Sequence, residues 1–184
     1  MNPTPPPNSE IIEKLCLKCG LCCDGSLFKD VELQASDDAN RLREHGLRLR
    51  KVTAPGDRQP RLRFSQPCRA LGKDCRCAAY QHRPQHCRKF ECLLFQAVVA
   101  GNLRLPSARR IVGEARGLTE TVQSLLDQLG ENDTATPLAA RMRRISRDIH
   151  TGDRDANDFA RFGELTVAYS QLTGLLARRF YSPC

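Results

Sequence analysis

Ten cysteines are unevenly distributed along this chain of 184 residues, and their spacing indicates chemistry. Four of them occur within the eight positions of the segment CLKCGLCC, Cys16 to Cys23. Thiolates are soft ligands that bind zinc, copper(I) or iron–sulfur clusters in preference to hard cations. The C-x-x-C-x-x-C spacing of Cys16, Cys19 and Cys22 is the one that supplies three ligands to a cluster in bacterial-type ferredoxins. The segment therefore predicts three ligands of one centre, whose fourth ligand lies elsewhere in the chain.

Cys23 follows Cys22 directly, and neighbouring side chains point in opposite directions when the backbone is extended. We therefore expect Cys23 to serve a second centre, or another iron of a shared one. A second group of cysteines lies between residues 67 and 92 and consists of Cys68, Cys75, Cys77, Cys87 and Cys92. The two groups together contain enough sulfurs for two four-cysteine sites. Buried free thiols or disulfides are the alternative, which such clustering disfavours.

The order CLKCGLCC, PC and C-x-x-Y-x-x-R-P-x-x-C-R-x-F-x-C resembles the YkgJ-type CxxCxxCC family of cysteine-cluster proteins, described as chelating zinc or iron. The similarity covers residues 14 to 92, about half of the chain. It implies eight metal ligands: Cys16, Cys19, Cys22, Cys23, Cys68, Cys77, Cys87 and Cys92. Cys75 is additional to the pattern, as a bystander or a substitute ligand, and we expect Cys184 to be an exposed terminal thiol.

Three further residues match fixed positions of the family and are expected to surround the ligands: Tyr80, Arg83 and Arg88. A site with four thiolates carries net negative charge, so the two arginines would support it through charge and hydrogen bonds. His82 and His86 lie nearby but do not match the family pattern. We therefore expect both histidines to be surface residues.

The cofactor is predicted to be a [4Fe–4S] cluster, slightly favoured over zinc. The ferredoxin-type spacing favours the cluster. So does the resemblance to the cysteine cluster of flagellin lysine N-methylases, which look like iron–sulfur proteins. Structural zinc would instead require closed Cys₄ tetrahedra, of which eight cysteines could supply two. Both cofactors therefore stay open at this point.

The sequence predicts a metal-binding protein with one or two cysteine-ligated centres in a structural or redox role. Two alternatives are a protein-modifying enzyme related to those methylases and a zinc-stabilised module for protein interaction. No acid–base pair, nucleophile–base pair, phosphate-binding loop or glycine-rich S-adenosylmethionine loop is visible in the sequence. The catalytic residues, if the chain is an enzyme, are therefore unknown.

The formal net charge of +8 would be halved by eight thiolates around two dipositive centres. The arginine-rich segment 41–63 lacks the interleaved aromatic residues that stack on bases, which disfavours nucleic acid as a partner. We expect a protein partner instead.

The first ten residues lack the features of a signal peptide, and no apolar run is long enough to span a bilayer. These observations predict a cytoplasmic protein, with an exported protein that lacks its signal as the alternative.

The fold class predicted from residue patterns is α+β. Residues 1–10 are expected to be a flexible arm, residues 11–100 a cysteine-cluster domain with a short antiparallel sheet, and residues 101–184 a helical region packing on it. The segments LFKDVELQ, LRLRKV and RLRFSQ predict strands because apolar and polar residues alternate in them. SDDANRLREHG predicts a helix capped by Ser36 and ended by Gly46. A last helix is predicted to bury one face that runs from Phe159 to Phe180.

Overall fold

The computed structural model describes residues 8–53, 59–151 and 154–181. Its mixed α+β architecture, with a three-stranded antiparallel sheet followed by a helical region, confirms the predicted fold class. The elements are α1 (Asn8–Ile11), a π-helical stretch (Ile12–Cys16), α2 (Leu17–Cys19), β1 (Asp30–Glu32), α3 (Ala39–Glu44), β2 (Leu49–Val52), β3 (Arg61–Ser65), a 3₁₀ turn (Tyr80–His82), α4 (Gln85–Lys89), α5 (Leu93–Val99), α6 (Leu105–Gln128), α7 (Leu138–Asp148) and α8 (Ala156–Arg179).

The sheet has the strand order β1-β3-β2, so that β3 pairs with both neighbours. Its inner face is apolar because Val31 and Phe64, which lie opposite each other, are both buried. On β1 the residues that flank Val31 are Asp30 and Glu32, and their carboxylates pair with arginines of β2 and β3. Arg61 of β3 lies 2.9 Å from Glu32. Asp30 makes longer contacts, with Arg63 of β3 at 3.5 Å and Arg50 of β2 at 3.8 Å. Carboxylates of the same sheet thus neutralise part of the arginine-rich segment.

Helix α3 begins with a different cap from the predicted one. Asp38, rather than Ser36, accepts hydrogen bonds from the backbone N–H groups of Asn40 and Arg41, both at 3.0 Å. One carboxylate oxygen can accept both bonds, and its negative charge is favourable at the N-terminus of a helix. The predicted C-terminal stop is confirmed, since Gly46 has the left-handed φ of 80°.

Two hydrophobic cores organise the described residues. The sheet core is small and lies beneath the strands; its buried members are Val31, Leu33, Leu42, Leu47, Phe64, Ala70 and Ala79. The larger core joins N-terminal side chains such as Ile11 and Leu15 to helices α5 to α8. Within it α6 packs extensively along α8. The cysteine segment and the C-terminal helices therefore share one core across the boundary predicted near residue 100.

The ends of the chain differ in part from the predicted pattern. Residues 1–7 of the predicted flexible arm lie outside the described residues, and α1 begins at Asn8. The last helix buries Leu165, Leu172 and Leu176 as expected, but Phe159 in its first turn is 48% exposed. No helix among the residues that the structure describes has the length and apolarity needed to cross a membrane.

Candidate metal centre

The nine described cysteines form no disulfide with one another, and six of them pack against one or the other of the two hydrophobic cores. Eight of the nine are partly buried, and Cys16 is the most exposed of them. Cys184, predicted to be an exposed thiol, lies outside the described residues. The described thiols are therefore available as ligands rather than committed to cross-links.

The N-terminal helical segment positions the first two sulfurs. Cys16 and Cys19 are three residues apart and so share a face of the helix. Gly20 ends α2 with a left-handed φ of 72°, a conformation that glycine adopts without a steric cost. A β-carbon at residue 20 would also lie 3.2 Å from the sulfur of Cys75. Glycine is thus required here both by the backbone conformation and by the close approach of another segment.

Cys22 and Cys23 lie in a turn, which makes the assumption of an extended backbone wrong. The carbonyl of Gly20 accepts hydrogen bonds from the N–H groups of Cys23, at 2.8 Å, and Asp24, at 3.0 Å. The turn brings the Sγ atoms of the adjacent cysteines to 3.6 Å from each other. A hydrogen bond between the two thiols lowers the pKa of Cys22 and raises that of Cys23. The two adjacent cysteines therefore place their sulfur atoms close together rather than on opposite sides of the chain.

The second cysteine segment docks directly on this turn. The N–H of Cys68 donates to the carbonyl of Cys23 at 2.7 Å. An isolated antiparallel bridge between Leu71 and Cys77 folds the segment back on itself. Cys87 lies within α4, and Cys92 caps the N-terminus of α5, where its sulfur accepts from the N–H of Phe95 at 3.4 Å. Residues separated by up to 76 positions in the sequence thereby reach the same region.

Burial raises the pKa of six of the described thiols, to about 12 for Cys16 and Cys87; the others are Cys19, Cys68, Cys77 and Cys92. A repeated backbone contact opposes this effect of burial: the N–H group of the residue two positions after a cysteine lowers the pKa of that cysteine's thiol. The donors are Leu21 for Cys19, Ala70 for Cys68, Ala79 for Cys77 and Leu94 for Cys92. An N–H directed at sulfur stabilises a thiolate. A bound cation would add the positive charge that a buried thiolate needs.

Arg83 is a cationic residue whose charge acts on several of the cysteines. Its guanidinium lies 3.7 Å over the ring of Tyr80, and its Nε donates to the carbonyl of Tyr80 at 3.2 Å. Burial raises the pKa of Cys16, Cys77 and Cys87, whereas the nearby charge of Arg83 lowers it in each case. Arg88 acts indirectly, because its Nε donates to the backbone carbonyl of Arg83 at 2.6 Å. The three residues predicted to surround the ligands thus form one connected group.

Replacing Arg83 with glutamine is expected to weaken metal binding about 10- to 100-fold, the usual cost of removing a supporting group from a metal site. The neutral side chain would leave the buried thiolates without their shared countercharge. Competition titration of the loaded protein with a chelator measures the change. Arg48→Gln, which removes an exposed arginine before β2, is the matched control and should change affinity less than twofold. Equal affinities for Arg83→Gln and the wild type would contradict the assigned role.

Cys75 contacts a residue that the sequence pattern did not identify. Arg116 of α6 donates from one nitrogen to the sulfur of Cys75, at 2.9 Å, and to the carbonyl of Lys18, at 3.1 Å. Cys75 itself has the left-handed φ of 63°. Arg116 lies 98 residues after Lys18, and no sequence pattern indicates this contact. The contact ties the C-terminal helices to the cysteine segment.

The two histidines occupy different environments. His82 is exposed, as predicted, and its ring centroid lies 5.5 Å from that of His45. His86 is half-buried, and the prediction of a surface residue is wrong for it. Its ring packs edge-on to Phe28 at 5.2 Å and stacks with Phe90 at 6.3 Å, because α4 faces β1 and the segment before it. This aromatic packing lies beside Cys87 and gives α4 a fixed position.

The donor set fits a thiolate-bound metal in chemistry, since its eight donors are soft and have backbone N–H groups and an arginine nearby. As the side chains stand, no group of three or more His, Cys, Asp or Glu residues within the described ranges is arranged to hold a metal ion. Metal binding would have to draw the sulfurs inward from their present positions.

Comparison with known proteins identifies a family for the cysteine segments. Residues 15–104 match the model of the CxxCxxCC family, described as a "Putative zinc- or iron-chelating domain". No curated protein and no solved structure matches the chain. The match begins at Leu15 and so includes all eight cysteines of the pattern, together with Tyr80, Arg83 and Arg88.

Proposed function

We propose that the chain, whose residues 15–104 match the model of the CxxCxxCC family of zinc- or iron-chelating domains, holds [4Fe–4S] clusters on its eight patterned cysteines. The cluster would serve a structural or electron-carrying role. The single observation that supports this proposal is that two cysteine segments far apart in the sequence meet at the hydrogen bond from Cys68 to Cys23, with the described cysteines free of disulfides with one another.

Iron–sulfur chemistry is preferred over zinc for reasons of spacing and support. Cys16, Cys19 and Cys22 keep the spacing that supplies three ligands to a cluster in bacterial-type ferredoxins. Hydrogen bonds and positive charge near the sulfurs tune the potential of such clusters, and both are supplied here by backbone N–H groups and Arg83. A zinc-stabilised interaction module is the alternative, because two Cys₄ tetrahedra need the same eight donors.

A role in service of a protein partner fits the surroundings of the cysteines. Two surface cavities, one between α6 and α8 and one beside β1 and β3, include none of the eight cysteines. A small-molecule substrate bound in either cavity would therefore not contact the ligand set. We place the protein in the cytoplasm, since metal-binding thiols stay reduced there.

Anaerobic purification followed by analysis of iron, acid-labile sulfide and zinc tests the proposal. We expect a brown protein with iron and sulfide in equal amounts and a broad visible absorption that bleaches on reduction. Cys22→Ser should lower the metal content, whereas Cys184→Ser, outside the family pattern, should not. A colourless protein with about two zinc ions per chain, even after anaerobic reconstitution with iron and sulfide, would contradict the iron–sulfur assignment.

A further inference from the structure

We infer that the eight cysteines form two separate centres that meet at the Cys22–Cys23 peptide bond. The first centre consists of Cys16, Cys19, Cys22 and Cys92. The second centre consists of Cys23, Cys68, Cys77 and Cys87. The inference rests on the proposed function and deepens it, because it assigns each ligand to a centre.

Packing against different cores separates the two sets. Cys19, Cys22 and Cys92 lie against the larger core, which includes the C-terminal helices. The remaining cysteine of the first centre, Cys16, directly follows Leu15 of that core. In contrast, Cys68, Cys77 and Cys87 lie against the sheet core. Each proposed centre is thus supported by its own group of apolar side chains.

The chain changes cores between Cys87 and Cys92. Helix α4, which contains Cys87, contacts β1 of the sheet. Helix α5, which Cys92 caps, packs against α1 and α6 and buries Leu94, Phe95 and Val98 in the larger core. Only four residues separate the two cysteines. The short segment between them therefore places Cys87 against the sheet core, with the second centre, and Cys92 against the larger core, with the first.

The same change occurs at the double cysteine. Cys22 packs against the larger core, whereas the carbonyl of Cys23 accepts the N–H of Cys68 at 2.7 Å. Cys23 is thereby tied to the segment that supplies the second centre. Since the two sulfurs are 3.6 Å apart, the centres are direct neighbours rather than distant sites.

Pairs of cysteine-to-serine variants distinguish two centres from one merged centre. Cys19→Ser and Cys92→Ser each remove a ligand of the first centre, and Cys68→Ser and Cys87→Ser each remove one of the second. Every variant is reconstituted anaerobically with iron and sulfide, and iron per chain is measured together with helix content by circular dichroism. Each single variant should keep about half of the wild-type iron, as expected when one of two centres is lost.

The double variants give the sharpest result. Cys19→Ser with Cys92→Ser should retain as much iron as either single variant, since both residues belong to the first centre. Cys19→Ser with Cys87→Ser should retain almost none. Cys75→Ser is the matched control and should keep the full amount.

Two outcomes overturn the inference in distinguishable ways. If all four single variants lose all iron while helix content is kept, or if within-set doubles lose as much as cross-set doubles, the cysteines form one merged centre. If the wild-type chain itself binds no metal, the proposed function fails, and the division fails with it. Using two positions for each centre prevents one misfolded variant from deciding the result.

Discussion

A chain that ends at residue 104 is expected to be unfolded and to bind metal poorly, although it contains the whole segment matched by the family. Ile11, Leu15 and Leu21 are at most 2% exposed in the complete chain, and they belong to the core formed with α6 to α8. Removing the helices would expose each of these side chains, at a cost of about 1.5–3 kcal/mol apiece. Since a domain is stabilised by about 5–15 kcal/mol in total, the combined loss of about 4.5–9 kcal/mol is comparable to the whole margin.

Amide dispersion in NMR spectra and iron per chain measure the outcome for the shortened protein. Co-expression with a second chain of residues 105–184 is the control, and it should restore both folding and metal content if the missing contacts are the cause. A shortened chain with dispersed amide signals and full iron content would show that the first 104 residues fold alone.

Arg141→Met is expected to lower the free energy of unfolding by about 3 kcal/mol, because it leaves a buried carboxylate without one of its partners. The guanidinium of Arg141 is only 2% exposed and lies 3.0 Å from Asp127. It also donates to the backbone carbonyl of Glu131 and lies 3.7 Å from the carboxylate of that residue. Glu131 is 7% exposed, so water cannot replace the lost charge.

Arg143→Met is the matched control on the same helix. The side chain of Arg143 is exposed, and surface substitutions of this kind usually change the free energy of unfolding by at most about 0.5 kcal/mol. Urea unfolding of the metal-loaded proteins compares the two variants. Adding Glu131→Gln to Arg141→Met should recover part of the loss, since no buried charge then remains. If the two arginine variants are equally mild, the buried position of Arg141 has no special importance.

The local elements could be predicted because their causes are local. Alternation around Val31 and Phe64 indicates a sheet with one apolar face, and Gly46 supplies the left-handed residue that ends α3. The cap of α3 could not be chosen in the same way, because Ser36, Asp37 and Asp38 are all good capping residues. The structure selects Asp38, while Asp37 accepts from the N–H of Gln85, a contact over 48 positions.

Long-range contacts account for most of what the sequence did not reveal about the site. The spacing and the family pattern identify eight cysteines, but they do not say which sulfurs are neighbours. That information depends on the hydrogen bond from Cys68 to Cys23 and on the two cores. The contact between Arg116 and Cys75 depends on how α6 packs on α2. Each of these depends on tertiary packing, which residue spacing alone does not determine.

The shared core also determines when during synthesis the first cysteines can reach their final positions. Chains emerge from the ribosome N-terminus first, at about 5–20 residues per second. Leu15 and Leu21 bracket Cys16 and Cys19, yet their packing partners on α6 to α8 lie between residues 105 and 179. The first cysteines therefore cannot reach their final packing until these helices have been made. We expect metal to bind at these cysteines only after that point.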